Sequence, residues 1–412
     1  MTKLVVSTKT MNVPKPDLSD IPGVLAYVAG GPFASEKVTA LTGGHANFSF
    51  RLYLLQPYNE RPTVVLKHAK PYVKLAVDFP LSVERQVRVV TFMQRFVSAM
   101  ICIVQKFEVA ALRNVKEWLP ENSIVTVPAV HLFDEAANVI VMDDCGEQAV
   151  TLKQLMQENT PPLSVAREIG TALGNFLGRI HECGGRDKSF LDIFDGNLKG
   201  KELSAFVTYG RLISTLTGKD DLPALSNPPF EIAEDKLEVI SKVASERIQA
   251  MTSSLDTFTM GDFWPGNIMV TLSAGVDAGS LTKLEHIHVL DWELAKTGLH
   301  GLDVGQLCAE LHLLSLFHPS CKESALGTMR SFLVSYLGRK MDSKSLMQTA
   351  TGHMGAHLIA WTPRNAWGSK EQTREAVEEG VKMIITSENI VEVGEEVLAR
   401  ARRDMNECSI SG

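Results

Sequence analysis

No long apolar run exists in this chain. The longest stretches, such as Ala99-Met100-Ile101-Cys102-Ile103-Val104, stop far short of the ~20 residues that cross a bilayer, so no membrane partner is expected. Runs rich in lysine and arginine are missing too. With a formal net charge of −7, the chain has no evident cationic surface for nucleic acid or anionic lipid. Cysteine is scarce: Cys102, Cys145, Cys183, Cys308, Cys321 and Cys408 lie scattered, with no C-x-x-C pair. That pattern excludes a disulfide framework and a thiolate metal site, and points to a reducing, cytoplasmic compartment. Lys3 is not followed by an apolar core of signal-peptide length.

What is present is the balance of a globular chain. Apolar residues make up 45% and charged residues 22%, and 412 residues can bury a core large enough to split into two lobes. Oligomeric state is not legible here; a monomer is the simplest expectation. The first part reads as strands: Phe48 to Leu55, a turn over 56–60, then Thr63 to Lys67. A helix is expected over 82–98. Two further strands are expected over Val127–Phe133 and Val139–Met142.

After about residue 146 the pattern turns helical. Ser164 is expected to cap a helix whose apolar face is Val165, Ile169, Leu173, Phe176, Leu177 and Ile180, at 3.6-residue spacing. Further helices are expected at about 233–251, 303–317, 322–337, 345–361, 370–385 and 389–403. One short β-interlude, 268–272 with 287–290, interrupts them. The fold class is therefore α+β with two lobes, divided as an N-terminal extension 1–35, a β-rich N-lobe 36–145 and a helical C-lobe 146–412.

The interlude carries the chemistry. Met260-Gly261-Asp262-Phe263-Trp264-Pro265-Gly266-Asn267 is followed by Val289-Leu290-Asp291-Trp292-Glu293. An aspartate, an asparagine five residues on and an acidic pair on the next strand form the set that phosphoryl transfer from ATP requires. One carboxylate takes the hydroxyl proton; an amide oxygen and a second carboxylate hold Mg²⁺ against the phosphates. Asn267 is expected to begin a strand. Asp291 and Glu293, two apart, are expected to share a strand face. Turn acids that merely cap loops could account for any one of these residues, but poorly for the ordered set.

Upstream signals agree in direction, though each is weak alone. Gly43 and Gly44, with Asn47 close behind, could let backbone N–H groups approach phosphates, or could simply form a turn. Lys67 ends an apolar strand and could face phosphate oxygens, or could snorkel to solvent. Met142-Asp143-Asp144-Cys145 ends another strand, where a kinase has its adenine hinge.

On these residues the chain resembles the aminoglycoside-phosphotransferase and choline-kinase group of small-molecule kinases, over roughly residues 36 to 385. Within the group it is most similar to the methylthioribose-kinase and hydroxytryptamine-kinase branch. The shared stretches are Leu-Thr-Gly-Gly at 41–44, Leu-Lys-His-Ala at 66–69, Gly-Asn-Ile at 266–268, Leu-Asp-Trp-Glu-Leu at 290–294, Leu-Asp-Val-Gly at 302–305, Ala-His-Leu-Ile-Ala-Trp-Thr at 356–362 and Trp-Gly-Ser at 367–369. The resemblance implies a two-lobed protein-kinase-like fold, with ATP and Mg²⁺ as cofactors. It implies Asp262 as catalytic base and Asn267, Asp291 and Glu293 around the metal. Gly43, Gly44, Asn47, Lys67 and the 142–145 hinge fall to the nucleotide.

Three departures bear on that reading. Met260 stands where the group often has histidine. Val89 stands where a glutamate should pair with Lys67, and Glu84 is one turn and a residue away. Ala360 and Trp361 stand where methylthioribose kinases have paired arginines, which argues against a methylthioribose acceptor because neither side chain is a bidentate cation. Trp264 and Trp361 could stack on a flat ring or meet an ammonium group, and Asp303 or Glu310 could bind a substrate amine, although Asp303 could equally brace the catalytic loop. Trp292 and Trp367 read as core. The expected partner is a small hydroxylated molecule, best an aromatic amine of the 4-hydroxytryptamine type in fungal secondary metabolism. Another hydroxylated metabolite or amino sugar is an alternative, and a catalytically silent nucleotide-binding relative, favoured by Val89, is the rival.

Overall fold

The computed structural model describes residues 16–41, 47–69, 105–274, 281–339 and 343–388. The helices expected over 82–98 and 389–403, and Gly43, Gly44, Glu84 and Val89, lie outside the described residues. In chain order the elements begin with α1 (Ile21–Val28), β1 (Ser35–Leu41), β2 (Asn47–Tyr58), β3 (Arg61–Ala69), α2 (105–118), β4 (Val125–Thr126), β5 (Val130–Asp134) and β6 (Val139–Asp143). There follow β7 (Val150–Thr151), α3 (Leu152–Glu158), α4 (Leu163–Arg186), α5 (Lys188–Asp195), α6 (Leu198–Thr208), α7 (Leu212–Leu216), α8 (Pro223–Ser226) and α9 (Glu234–Ser253). The chain continues through β8 (Thr257–Thr259), β9 (Ile268–Ala274), β10 (Leu281–Val289), β11 (Lys296–Gly298), α10 (His300–Phe317), α11 (Lys322–Leu337), α12 (Ser343–Trp361) and α13 (Lys370–Glu388). No described helix is long and apolar enough to cross a membrane.

The contacts separate two compact units, an α+β arrangement. One holds the described residues up to 69 with 130–144; the other holds 105–129 and everything from 145 on. The first unit is an antiparallel sheet ordered β1-β2-β3-β6-β5. Alternation along β2 buries Phe50, Leu52 and Leu54 with Val24 and Val28 of α1, Phe33, Val64 and Leu66. The β2–β3 turn is Asn59-Glu60, both at positive φ (48° and 66°), with Tyr58 opposite Arg61. This is the two-residue hairpin geometry that matches strand twist, so β2 runs on through Pro57 and the expected five-residue turn shrinks to two.

In the second unit β4, β10, β9 and β7 form one sheet and β11 pairs with β8. β4 pairs with β10 in parallel, Ile287 opposite Val125, and Trp118 at the end of α2 meets Phe190 and Phe258 edge-on. These contacts bind 105–129 to the helical unit. The expected apolar face of α4 is buried throughout. Its start differs: the cap position is Pro162, whose carbonyl accepts from Ala166 N–H at 2.9 Å, and no side chain caps the helix. Ser164 sits inside the first turn instead, because Pro162 sets the cap two positions before the serine.

Candidate active site

The loop from Met260 to Asn267 connects β8 to β9, and its shape comes from what grips its backbone. Asp303, in the first turn of α10, is fully buried; its Oδ2 accepts from Met260 N–H and its Oδ1 from Gly261 N–H, both at 2.8 Å. His181 of α4 reaches the same Oδ2 through Nε2 at 3.1 Å, and its Nδ1 lies 2.6 Å from the Tyr336 hydroxyl of α11. Burial opposes ionisation of Asp303, but the His181 bond and charge, the Gly261 N–H and the Lys296 cation outweigh it and hold the carboxyl below its ordinary value. Both Asp303 oxygens are thus committed to the loop. Asp303 thereby braces this loop, and it also lines the cavity described below.

Gly261, at φ +79°, turns the chain so that Asp262 follows. Asp262 Oδ2 accepts from Asn267 Nδ2 and Oδ1 from Gln306 Nε2, each at 2.8 Å, while Asn267 Nδ2 also reaches the Asp262 carbonyl at 3.0 Å. Desolvation pushes the Asp262 carboxyl up to about 6; the two amides oppose this, and the nearby charges of Asp291 and Glu293 add to it. Asn267 closes a 3-10 turn (Pro265–Asn267) rather than starting a strand, so its amide is fixed by Asp262 and not by sheet pairing. Its carbonyl accepts from Leu290 N–H at 2.8 Å, which ties this loop to the acidic segment.

That segment is not a strand. β10 ends at Val289, and Asp291 takes φ +57°, a conformation rare for a residue with a Cβ. The even spacing of Asp291 and Glu293 therefore does not fix a shared face. Between them Trp292 is buried; its Nε1 donates to Val289 O at 3.0 Å and its ring stacks on Phe258 at 5.9 Å with planes 4° apart. A large anchored ring holds a strained backbone that could not hold itself. Among the described residues no group of three or more His, Cys, Asp or Glu is arranged to hold a metal.

A cavity of about 220 Å³ opens beside Asp262 within this unit. Leu203, Val207, Met251 and Leu302 supply apolar wall; Gln306, Lys296, His353, His357 and Trp361 supply polar and aromatic groups. His357 Nε2 meets Glu310 Oε1 at 2.8 Å. Trp264 does not line this cavity. Its ring already carries the Lys153 ammonium at 5.4 Å and leans over Gly266, where an added Cβ would fall 2.2 Å from it. Trp361 lines the cavity but has His357 stacked at 6.0 Å and the Arg211 guanidinium 5.8 Å from its centroid. Any ring bound in this cavity would therefore share Trp361 with groups already there. Gln306, Lys296, His353 and His357 were not legible as site residues. The sequence signals were Asp303-x-x-Gln306, which places two polar side chains on one face of a helix, and His357 within the shared stretch 356–362.

In the first unit, Lys67 lies in β3 opposite Ser49 and Ile140 and is only 3% exposed, so it is not a snorkelling surface lysine. Asn47 begins β2 opposite Ala69. Met142 pairs with Val65 and Val130. The carboxylate of Asp144 takes a two-pronged bond from Arg51, Nε at 2.6 Å and Nη2 at 2.9 Å. Asp143 meets Arg61 and His131, each at 2.8 Å. These acid side chains serve the sheet, so a nucleotide contact from 142–145 falls to the main chain. Cys145 is in no disulfide and stands at the start of the second unit.

A family model described as "Phosphotransferase enzyme family" matches residues 45–319. A 4-hydroxytryptamine kinase of Psilocybe cubensis is 30% identical over 349 residues, covering 84% of this chain and 85% of its own. Its counterpart in Psilocybe cyanescens is 29% identical over 380 residues, covering 89% and 92%. A methylthioribose kinase of Bacillus cereus (strain G9842) is 25% identical over 288 residues, covering 69% of this chain and 62% of its own.

Proposed function

This chain belongs to the phosphotransferase enzyme family, and on that footing we propose that it transfers the γ-phosphate of ATP to the hydroxyl of a small aromatic amine of the 4-hydroxytryptamine type. The observation that carries the reading is Asp262, held by two amides at the edge of a cavity with apolar and aromatic walls. A base with its pKa near 6 is ionised at neutral pH yet basic enough to take a hydroxyl proton. At about 220 Å³ the cavity exceeds the roughly 150 Å³ that admits benzene. It suits a fused bicyclic ring better than a multi-ring aminoglycoside.

Each part then has a role. Asp262 orients the acceptor hydroxyl and takes its proton as the oxygen attacks phosphorus in line with the departing ADP. Asn267 and Gln306 fix the carboxylate so that no reorganisation accompanies the step. Asn47, the buried Lys67 and the main chain of 142–144 in the first unit, with Cys145 at the start of the second, serve the nucleotide, and Gly43 and Gly44 are assigned on the sequence motif alone. Asn267, Asp291 and Glu293 would hold Mg²⁺. Their hard oxygen donors fit that ion, and two carboxylates with one amide are what Mg²⁺ uses when substrate phosphates and water complete its shell. When bound, the ion supplies charge neutralisation at the phosphates.

The test is direct. Purified protein with ATP and Mg²⁺ should add one phosphoryl group to 4-hydroxytryptamine, read by mass spectrometry, and not to methylthioribose. Asp262→Asn should lower the rate by roughly 10²–10⁴-fold. A variant that keeps a tenth of the wild-type rate would remove Asp262 from the chemistry.

A further inference from the structure

Lys296 opens β11 opposite Thr259 and is 2% exposed, a buried cation on the wall of the acceptor cavity. Its ammonium has three N–H donors. Among the described residues it donates one hydrogen bond, to Leu294 O at 2.9 Å, and no carboxylate lies within ion-pair distance. The missing Cβ of Gly261 makes its place: a Cβ there would sit 2.0 Å from Nζ. Nζ thus rests against the residue that precedes Asp262. The charged groups around it are Asp262 on the loop and Asp303 on α10, which attract, and Lys201 on α6, which repels; His353 of α12 feels its charge. Burial pulls the Lys296 pKa down to about 8, with the two acids opposing, so it still carries charge at neutral pH. A buried ammonium with unfilled donors is costly, even with two acids nearby, unless a ligand oxygen completes it.

The geometry points to Lys296 as a second contact of the acceptor oxygen, opposite the proton-accepting Asp262, and so to a phenol-type hydroxyl as the acceptor class. The inference rests on the kinase reading above. Asp291 and Glu293 do not line this cavity, which separates Lys296 from the metal-binding candidates and assigns it to the acceptor. A phenol, with a pKa of about 10, ionises far more readily than an alkyl alcohol, so an adjacent ammonium stabilises the charge its oxygen acquires. In the step the acceptor O–H bond breaks and its proton goes to Asp262. The oxygen pair forms the new P–O bond, and the bridging P–O bond breaks with its electrons leaving on ADP.

The experiment reads the ionisation of a bound chromogenic phenol, 4-nitrophenol, by its absorbance across pH. Wild-type protein is compared with Lys296→Met and Lys296→Gln. The bound probe should ionise about one pH unit lower on the wild type than on either variant. The glutamine variant keeps a donor at the same place without the charge, and thermal unfolding of both variants checks that they fold. Equal ionisation midpoints on all three proteins, or a probe spectrum that responds to none of them, overturns the inference. Failure of the kinase reading shows elsewhere, as wild-type protein that phosphorylates no hydroxylated acceptor whatever the probe does.

Discussion

Two constraints meet at Gly261. Its φ of +79° disfavours any side chain, and a Cβ there would fall 2.0 Å from Lys296 Nζ and 2.5 Å from Leu294 O. Gly261→Ala must therefore displace the loop or the lysine, and a shift on the order of 1 Å at reacting groups costs about 10²-fold in rate. We expect kcat to fall by that order while the melting temperature drops only a few degrees, measured by steady-state kinetics and thermal unfolding. Asp303→Ala should do worse. It leaves the N–H groups of Met260 and Gly261 without their acceptor, at roughly 1–3 kcal/mol each, so both activity and melting temperature should fall. At this scale the sequence was readable where spacing alone sets the geometry, as with Asp262 and Asn267 five residues apart. Gln306 and Lys296 reach Asp262 or its neighbour only after α10 and β11 have packed, so no local pattern announces them. Trp264 and Trp361 illustrate the converse: a tryptophan near a motif suggests a binding face, but its partners, here Lys153, His357 and Arg211, are set by the fold.

Among the elements, the pair α4 and α11 governs how the loop is held. Gly170 and Gly174, one turn apart on α4, lie against α11, where added Cβ atoms would fall 2.2 Å from Thr328 O and 2.4 Å from Phe332 O. This close approach sets His181, two turns beyond Gly174, against Tyr336 of α11 and Asp303 of α10. Gly174→Val should force the helices apart at a cost of about 1–3 kcal/mol. It should lower kcat as well, because His181 loses its seat behind Asp303. Thr171→Val, on the exposed side of α4, should change neither. Thermal unfolding with matched kinetics distinguishes the two, and a Gly174→Val protein with wild-type stability would refute the close-packing argument. The apolar periodicity of α4 was legible, but the glycine stripe was not, since hydrophobic spacing gives glycine no weight. The strand expected through Asp291 failed for a related reason: Trp292 anchors a turn that period-two reasoning cannot represent.

Over the whole molecule, each unit has its own apolar core, one beneath the antiparallel sheet and one among the helices. The crossing of 105–129 into the helical unit follows from the β4–β10 pairing and the Trp118 contacts, which join residues far apart in the chain and so leave no trace in local sequence. Acid response is a property of this scale, because buried groups on several helices add. Burial lowers the pKa of His353 and of His300 to about 3, and His181 adds to the shift at His300. Unfolded histidine titrates near ~6.5, so between about pH 6 and 4 the unfolded chain binds two protons at these residues that the folded chain does not. Asp262 acts in the opposite sense: its folded pKa of about 6 exceeds the unfolded value, so the folded chain binds one proton there first. The net is one proton more in the unfolded state, and these three groups together make stability fall by roughly 1.4 kcal/mol per pH unit as pH drops through that window. His353→Phe removes one unfolded-state proton and should bring their combined slope close to zero. Asp262→Asn removes the opposing group and should about double it. Urea unfolding midpoints at several pH values between 6 and about 4 test both, and slopes that move in the same direction in the two variants would contradict the assignment of these charges.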